Sequence, residues 1–557
     1  MPEMTSPRDE KASSGTVVDA VVIGAGFSGL YMVHRLRNVL GKNVRAFEAG
    51  KGPGGTWYWN RYPGARCDSE GYVYCYSFDE QLRDEWTWSG KYPTQPELLE
   101  YLEHVAERFD LNRSFDYETK VTSAHFDDDA QLWRVTTDRS EEVLARFLIT
   151  GIGHLSIAKF VPNIPGLDTF KGEWHHTSNW PEKVDFKGKR VGVIGTGSTG
   201  VQAIPVIAEE AEHLVVFQRT PQYSIPARHE SIDKDFLAGV KENYGEMWEK
   251  ARWSAGGFPW QHNGRSALEA TAEERNEVYE ALWAEGGIKF SLGGFRDISL
   301  DRRANDTVSE FIRQKIREIV KDPEKLSRLL PNDHPFLSRR PIVDTNYFET
   351  YNRENVEIAD IKHFPIQRIE PNGILTEEGF YELDIIVMAT GFDAFTGPFF
   401  NMDIRGRKGI ALRDKWSAGP TGYLGLQTSD FPNMFMITGP GGATGNLAVS
   451  IEHHVEWISD CLHFMDEGGY SICEAADDAE SSWTEFVQGE AERSLIPFAD
   501  SWYNGSNVPG KARAFVFYYG HFGKYRSKTE KVARAGYPGL LFDGDSVASD
   551  DWESLIR

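Results

Sequence analysis

The chain has 557 residues, 40% of them hydrophobic and 13% aromatic, which is enough for roughly two to four globular domains with a large core. Its 60 Lys and Arg residues against 84 Asp and Glu residues give a formal net charge of −24, which argues against nucleic acid or an anionic membrane as the main partner. The four cysteines show no CxxC pair and no zinc-ligand spacing, and a disulfide framework is not expected at this chain length.

Residues 1–16 are polar and charged, without the apolar core of a secretory signal, and predict a flexible tail. The longest nearly apolar stretch, Ala20–Val33, is 14 residues long and too short to cross a bilayer. We therefore predict a cytoplasmic protein with no membrane span and no obligate protein partner.

A buried strand, Val17–Ile23, leads into the glycine-rich turn Gly24–Gly29, with the sequence GAGFSG, and then into a helical pattern. Such glycines permit a tight turn and the close approach of a pyrophosphate, while the helix N-terminus offers free N–H groups to the phosphates. Glu48 follows 24 residues after Gly24, where an acid accepts hydrogen bonds from ribose hydroxyls. We predict a dinucleotide site here; the alternative is a glycine-rich turn without a ligand.

The same pattern recurs later in the chain. The strand Val191–Ile194 is followed by Gly195–Gly200, with the sequence GTGSTG, and by a second helical pattern. Arg219 follows 24 residues after Gly195, and an arginine at that position can pair with the 2′-phosphate that an acid would repel. Thr220 and Ser198 could add hydroxyl donors. The second site therefore predicts NADPH rather than NADH; the alternative for Arg219 is a surface salt bridge.

The first site has an acid, Glu48, at the ribose position, and the second has an arginine, Arg219, at the equivalent position. This combination predicts a flavoprotein that binds FAD at the first site and NADPH at the second. We expect an α/β fold with two Rossmann-like dinucleotide-binding domains and a helical insertion. The predicted segments are a tail at 1–16, FAD-binding parts at 17–155 and 389–557, NADPH-binding parts at 156–224 and 336–388, and a mostly helical insertion at 225–335.

The segment FKGEWHHTSNWP, residues 170–181, fits neither the helical period nor the strand alternation well. Taken alone, it indicates a loop whose aromatic side chains pack on a core. His175 and His176 are adjacent, so their side chains diverge, and no cysteine or acid stands at ligand spacing. We therefore expect no metal site.

Taken together, the motifs resemble those of the type I Baeyer–Villiger monooxygenases over nearly the whole chain. The family fingerprint matches Phe170, Gly172, His176, Trp180 and Pro181. Four further matches are the segments GGTWYWNRYPGARCD, RRPIVDTNYFETYNRENV, ATGFD and SWYNGSNVPGK. The resemblance implies that NADPH reduces FAD, that O₂ forms a C4a-peroxyflavin, and that a ketone becomes an ester or lactone.

The resemblance also implies roles for particular residues. Arg340 would be the fixed cation beside the developing negative charge, Asp68 would orient it, and Arg339 would contact the 2′-phosphate. His176 would hold the connector between the domains by hydrogen bonding. The implied FAD-binding residues are Gly24, Gly26, Phe27, Ser28, Gly29, Glu48, Gly55, Thr56, Trp57, Asp68, Tyr74 and Val121. The implied NADP-binding residues are Arg66, Thr196, Gly197, Ser198, Thr199, Gly200, Gln202, Arg219, Thr220, Arg339 and Trp502.

The substrate is indicated only by one loop. The segment that contains Gly441, Gly442, Ala443 and Thr444 is shorter than the matching pocket loop of a family member that oxidises phenylacetone. A shorter loop leaves more room, so we expect cyclic or bulkier ketones, with some sulfides as side substrates.

Three other functions stay open at this point. One is an N- or S-oxygenating flavin monooxygenase. Such enzymes have the same fingerprint spacing but lack the tryptophan that this chain has at Trp180. A disulfide reductase needs a redox cysteine pair at tighter spacing than Cys67 and Cys75. A non-catalytic FAD/NADPH sensor would not need Arg340, Asp68 and Trp502 together.

Overall fold

The structure is a computed structural model that describes residues 17–155, 160–546 and 553–556. The predicted tail, residues 1–16, and the predicted domain boundary at residue 156 lie outside the described residues. The strands, β1 to β20 in chain order, are Val17–Ile23, Val44–Phe47, Phe115–Asp116, Val121–Asp127, Leu132–Thr137, Glu142–Thr150, Glu173–His176, Arg190–Ile194, His213–Gln218, Ser224–Pro226, Ile342–Asp344, Val356–Asp360, Ile366–Glu370, Gly373–Thr376, Phe380–Glu382, Ile385–Met388, Asp403–Arg405, Met434–Met436, Cys473–Ala475 and Leu540–Phe542.

The α-helices connect these strands and fill the stretch between β10 and β11. A π-helical segment, His34–Val39, continues the first of them. The helices, α1 to α18 in chain order, are Phe27–Val33, Thr56–Trp59, Glu80–Glu85, Gln95–Arg108, Ser198–Glu210, Lys234–Glu242, Tyr244–Trp253, Ala272–Glu285, Ile288–Leu292, Arg302–Ile319, Pro323–Leu329, Tyr347–Thr350, Thr396–Phe400, Leu412–Lys415, Leu447–Gly468, Asp477–Glu492, Phe522–Arg534 and Glu553–Ile556.

The first sheet has the order β17-β4-β5-β6-β1-β2-β3, and β18 also pairs with β6. Its strand β1 lies parallel to both β2 and β6, and α1 connects β1 to β2 through the first glycine-rich turn. Gly24 has a φ of +101°, and a Cβ at Gly29 would lie 1.7 Å from the Gly24 carbonyl oxygen. Only glycine satisfies both conditions, so the turn folds as the sequence predicts.

The second sheet has the order β12-β9-β8-β16-β7, and all its strands are parallel. The helix α5 connects β8 to β9 through the second glycine-rich turn. Gly195 has a φ of +110°, and a Cβ at Gly200 would lie 2.2 Å from the Gly195 carbonyl oxygen. The two glycine-rich units thus have the same local geometry, and the expected α/β fold with two Rossmann-like units is confirmed.

The segment 170–181 is more regular than the loop that its pattern indicates taken alone. Its residues Glu173–His176 form β7, the edge strand that pairs in parallel with β16. Trp180 is buried in the core beneath this sheet, with its ring 6.2 Å from that of Phe186. Alternation failed to reveal the strand because Glu173 and Trp174 are both exposed at the sheet edge.

The predicted insertion, residues 225–335, contains the helices α6 to α11. Tyr244 and Trp248 of α7 belong to the apolar core around α1 and α15, whereas Trp283 of α8 and Ile312 of α10 belong to the core of the second sheet. The insertion therefore packs against both halves of the molecule. The exact segment limits given above stay a prediction.

No helix within residues 17–155, 160–546 and 553–556 combines the length and the apolar character that crossing a membrane requires. The longest, α15, has 22 residues and packs along α1, where the Tyr31 hydroxyl donates to Glu456 Oε1 at 3.3 Å.

Candidate active site

A large cavity lies where the first glycine-rich turn, the segment 54–74 and the first turns of α5 come together. Side chains and backbone from both glycine-rich units line it, together with residues that follow the insertion, among them Arg340. The lining residues that the sequence had indicated are Gly24, Gly26, Phe27, Ser28, Glu48, Gly55, Thr56, Trp57, Arg66, Asp68, Tyr74, Val121, Ser198, Thr199, Gln202 and Arg340.

The floor of the cavity is a backbone cradle. A Cβ at Gly26 would lie 3.3 Å from the Gly55 Cα, and one at Gly55 would lie 2.8 Å from the Gly26 Cα. Side chains at these positions would fill the space in front of the α1 N-terminus, where free N–H groups and the positive end of the helix dipole favour a phosphate. The residues present therefore fit the pyrophosphate of a dinucleotide such as FAD.

Glu48 has a structural role that its position in the motif does not indicate. Its Oε2 accepts a hydrogen bond from the Ala25 N–H at 2.8 Å, and its Oε1 accepts one from the Gly50 N–H at 2.7 Å. Burial raises the pKa of Glu48, and these backbone donors counteract part of that shift. The carboxylate thus fixes the glycine-rich turn as well as facing the cavity.

Asp68 and Arg340 form an ion pair at the cavity wall, with Arg340 Nη2 2.8 Å from Asp68 Oδ2. The Asp68 side chain is 6% exposed and that of Arg340 is 41% exposed, so the cation faces the open space and the acid stands behind it. Burial raises the pKa of Asp68, and Arg340 is the main opposing influence. Burial works against the charge of Arg340, but Asp68 outweighs it and raises the pKa of the guanidinium. The pair thus presents a permanent positive charge to the cavity.

Two further arginines, Arg219 after β9 and Arg339 before β11, lie close enough to influence each other. Burial lowers the pKa of Arg339, Asp333 opposes this, and the nearby Arg219 lowers it further. Arg339 Nε is buried without a hydrogen-bond partner among the described residues. Two like charges and an unused donor are the features expected of an anion site, and they fit the 2′-phosphate of NADPH.

Several predicted residues do not line the cavity. Thr196 Oγ1 donates to the Thr220 carbonyl oxygen at 2.9 Å, which connects the second glycine-rich turn to the segment that follows β9. Trp502 is half-buried against Phe395, at 6.0 Å between ring centres, and against Tyr503. The predicted residues outside the lining are Gly29, Thr196, Gly197, Gly200, Arg219, Thr220, Arg339, Trp502 and the fingerprint residues Phe170, Gly172, His176, Trp180 and Pro181.

The predicted substrate loop precedes α15, and its part in substrate binding stays a prediction. Gly441, Gly442, Ala443 and Thr444 do not line the cavity; the residues that do so here are Gly445 and Leu447, at the start of α15. The carbonyl of Gly441 instead accepts a hydrogen bond from Trp483 Nε1 at 3.0 Å, which turns that part of the loop toward α16.

The sequence analysis also missed His154, which lines the cavity from the loop that follows β6. Its Nε2 lies 2.7 Å from the Thr438 carbonyl oxygen, and its ring stacks on Phe395 at 3.8 Å between centres. Burial lowers the pKa of His154 to about 4, so the ring is neutral at physiological pH. No motif marks this histidine, because the contacts that define it come from distant segments.

The described residues contain no group of three or more His, Cys, Asp or Glu side chains placed to hold a metal ion. His176 belongs to no such group; its Nδ1 accepts from the Ser178 N–H at 3.1 Å and caps the turn that follows β7.

Comparison with known proteins gives consistent matches. Residues 18–231 match the family described as flavin-binding monooxygenase-like. A Baeyer–Villiger monooxygenase of Pseudooceanicola batsensis is 47% identical over 95% of this chain and 97% of its own. A cyclohexanone 1,2-monooxygenase of Acinetobacter is 44% identical over 94% of this chain and 96% of its own. A phenazine N-monooxygenase of Lysobacter antibioticus is 43% identical over 95% of this chain and 98% of its own.

Solved structures agree in fold over most of the chain. A closed crystal structure of cyclohexanone monooxygenase has a TM-score of 0.93 at 47% identity, covering 94% of this chain and 99% of that one. The cyclohexanone monooxygenase of Rhodococcus bound to NADP⁺ has a TM-score of 0.93 at 46% identity, covering 96% and 100%. A structure titled OTEMO in complex with FAD and NADP has a TM-score of 0.91 at 40% identity, covering 94% and 99%.

Proposed function

The chain belongs to the Baeyer–Villiger monooxygenases, flavin-dependent enzymes that use NADPH, and we propose that it inserts one atom of O₂ beside the carbonyl of a cyclic or bulky ketone. The observation that carries the proposal is the Asp68–Arg340 pair at the wall of a cavity shared by both glycine-rich units. An ester or a lactone is the expected product.

We assign FAD to the first glycine-rich unit. When bound there, the flavin supplies the activation of O₂, for which amino-acid side chains have no equivalent. The cradle between Gly26 and Gly55 and the α1 N-terminus would hold the pyrophosphate, and Glu48 would face the ribose while it fixes the turn.

We assign NADPH to the second unit. The N-terminus of α5 would face the pyrophosphate, with the free N–H groups that follow Gly197. Arg219 and Arg339 would bracket the 2′-phosphate, where their mutual repulsion is relieved by the dianion. Arg66 supports this assignment, because its Nη1 is buried without a partner among the described residues.

Arg340 is the residue that we assign to the chemical step. Addition of oxygen to a ketone carbonyl places negative charge on oxygen, and a fixed guanidinium next to that position stabilises it. Asp68 holds the guanidinium by its Nη2 and keeps it aimed at the cavity. Because Asp68 is buried and paired with Arg340, it orients the cation.

The substrate class rests on the space near α15. Gly445 has no side chain, and Leu447 is half-buried at the same wall. The relatives named above include a cyclohexanone monooxygenase, whose substrate is a cyclic ketone. Both points support ketones that are cyclic or larger than acetone.

The four cysteines are all buried free thiols, as expected in a reducing compartment, and this supports the predicted cytoplasmic location. Cell fractionation with an antibody against the protein would test it.

The function is tested by purifying the protein, recording the flavin absorbance, and following NADPH oxidation with cyclic, aryl and steroid-sized ketones. Products that gain one oxygen atom as ester or lactone support the proposal. Oxidation of an aromatic amine or a sulfide, with no ester from any ketone, would instead favour the N- or S-oxygenating alternative, to which the phenazine N-monooxygenase relative points.

A further inference from the structure

The side chain of Gln202 lies between the two halves of the active site. It belongs to the second turn of α5, the helix whose N-terminus follows the second glycine-rich turn. The residue is 9% exposed, and its amide reaches across to the segment 62–68. The family resemblance places this residue among those that bind NADP, but its contacts indicate a different role.

Every hydrogen-bonding position of the Gln202 amide is in use. Nε2 donates to Asp68 Oδ1 at 2.8 Å and to the Arg66 carbonyl oxygen at 3.1 Å. Oε1 accepts from the Tyr62 hydroxyl at 2.8 Å and from the Arg66 N–H at 3.4 Å. A primary amide has two donors and two acceptor lone pairs, so no position is left for a nucleotide.

The carboxylate of Asp68 therefore has one partner on each oxygen. Oδ2 accepts from Arg340, and Oδ1 accepts from Gln202. These two bonds fix the rotation of the carboxylate about its Cβ–Cγ bond, which determines where the Arg340 guanidinium is held. Asp68 is buried, so water cannot readily replace a lost donor.

Behind this wall lies a second, smaller cavity of about 100 Å³. Four residues line both cavities, namely Arg66, Cys67, Asp68 and Gln202. The catalytic wall is thus one layer of side chains thick, and the space behind it gives Asp68 room to turn if the amide is removed.

We propose that Gln202 is a positioning residue, through which α5 holds the Asp68 carboxylate in the orientation that aims Arg340 at the cavity. The same helix would then face the nicotinamide nucleotide with its first turn and the catalytic pair with its second. Occupation of the nucleotide site is thereby coupled to the geometry of the chemical step. This inference rests on the proposed function and assigns Gln202 a role within it.

The proposal predicts a characteristic effect of pH. The Gln202 N–H stabilises the ionised form of Asp68, so its loss should raise the pKa of that carboxyl. Asp68 must be ionised to hold Arg340, and the acid limb of the pH profile of kcat should move upward by about one pH unit. A residue that only binds NADPH would leave this limb in place and raise the KM for NADPH.

The experiment compares Gln202→Leu and Gln202→Glu with the wild type, using Glu210→Gln near the end of α5 as a matched control. Both Gln202 variants should lower kcat by about tenfold or more while the KM for NADPH changes less than about threefold. The glutamate variant places a second negative charge beside Asp68, so its activity should fall further as the pH rises. Flavin content and thermal unfolding identify a variant that fails to fold. If one of the two Gln202 variants fails to fold, the other is used for the test.

A crystal structure gives a result that does not depend on turnover. In Gln202→Leu the Asp68 carboxylate should turn toward the rear cavity and lose its 2.8 Å contact with Arg340. An unchanged pair together with a tenfold weaker affinity for NADP⁺ would overturn the inference and restore Gln202 as a nucleotide ligand. If the wild type makes no ester from any ketone, the proposed function fails, while the crystallographic and NADP⁺-binding results still decide the role of Gln202.

Discussion

Asp68 and Arg340 are 272 positions apart in the sequence, and their side chains meet at 2.8 Å at the wall of the cavity. Asp68 follows the first glycine-rich unit, whereas Arg340 follows the helical insertion. Their pairing brings the ends of two separate segments to the place where both nucleotides would converge. Changes at either residue therefore test the site most directly.

Replacement of Arg340 by alanine should abolish ester formation and leave the bound flavin in place. The change removes the cation that stabilises negative charge on oxygen, a loss on the order of 3 kcal/mol or more, which corresponds to at least about a hundredfold in kcat. Ester production by mass spectrometry and flavin absorbance measure the two properties. Arg353→Ala, at an exposed arginine remote from the cavity, should behave like the wild type. Equal ester production by Arg340→Ala would remove Arg340 from the chemical step.

Replacement of Arg219 by alanine should weaken the preference for NADPH over NADH. An arginine–phosphate contact contributes about 1.5 to 3 kcal/mol, so the KM for NADPH should rise roughly 10- to 100-fold. The KM for NADH, which has no 2′-phosphate, should hardly change. Steady-state kinetics with both cofactors measure this, and Arg368→Ala, on the exposed side of β13, is the control. A parallel rise of both KM values would indicate a general loss of structure instead.

Replacement of Leu447 by tryptophan should narrow the cavity at the start of α15. Since a misfit of one or more methylene groups costs about 1 to 3 kcal/mol, kcat/KM for a steroid-sized ketone should fall at least about tenfold. The value for a small cyclic ketone should change much less. Leu300→Trp is the control, because Leu300 is 56% exposed and is not one of the lining residues. An equal loss for both ketones would show that substrates do not pass this wall.

Glu70 should make stability depend on pH. It is 2% exposed, accepts from the Tyr92 hydroxyl at 3.2 Å, and burial raises its pKa to about 7. The folded state favours the neutral acid. The stability that the neutral Glu70 side chain adds to the folded state is therefore fully present below pH 4.5 and is lost as the pH rises through about 7.

We therefore compare the free energy of unfolding of Glu70→Gln with that of the wild type at two pH values. The difference in favour of the variant should be larger at pH 8 than at pH 5, by an amount on the order of 3 kcal/mol. Urea unfolding at the two pH values measures the difference. Glu80→Gln is the control, since the Glu80 side chain is 92% exposed. The same offset at both pH values would show that Glu70 is ionised throughout.

The glycine-rich turns were predictable because their requirements are local. Gly24 and Gly195 need a positive φ, and Gly29 and Gly200 need the absence of a Cβ, so the amino-acid type itself carries the signal. Arg340 and Asp68 could be named only because longer motifs surround them. In each case the residues adjacent in the sequence were sufficient to predict the role.

The remaining features depend on contacts between distant segments. The strand β7 exists because β16 offers an open edge, and Trp174 points outward, so no alternation reveals it. His154 is defined by Thr438 and Phe395, more than 200 positions away. The contacts of Gln202 lie about 136 positions earlier, which explains why its motif indicated a nucleotide ligand.

The pairing of β18 with β6 has a consequence for synthesis of the chain on the ribosome. Thr150 bonds to Phe435 in this pairing, 285 positions later, and β6 meets its last neighbour only when that segment emerges. At about 5 to 20 residues per second, the wait is roughly 15 to 60 s. During that time the end of β6, residues 148–150, presents unpaired backbone groups to solvent on one side. We therefore expect a chain truncated before residue 434 to keep this edge of β6 unpaired and to aggregate.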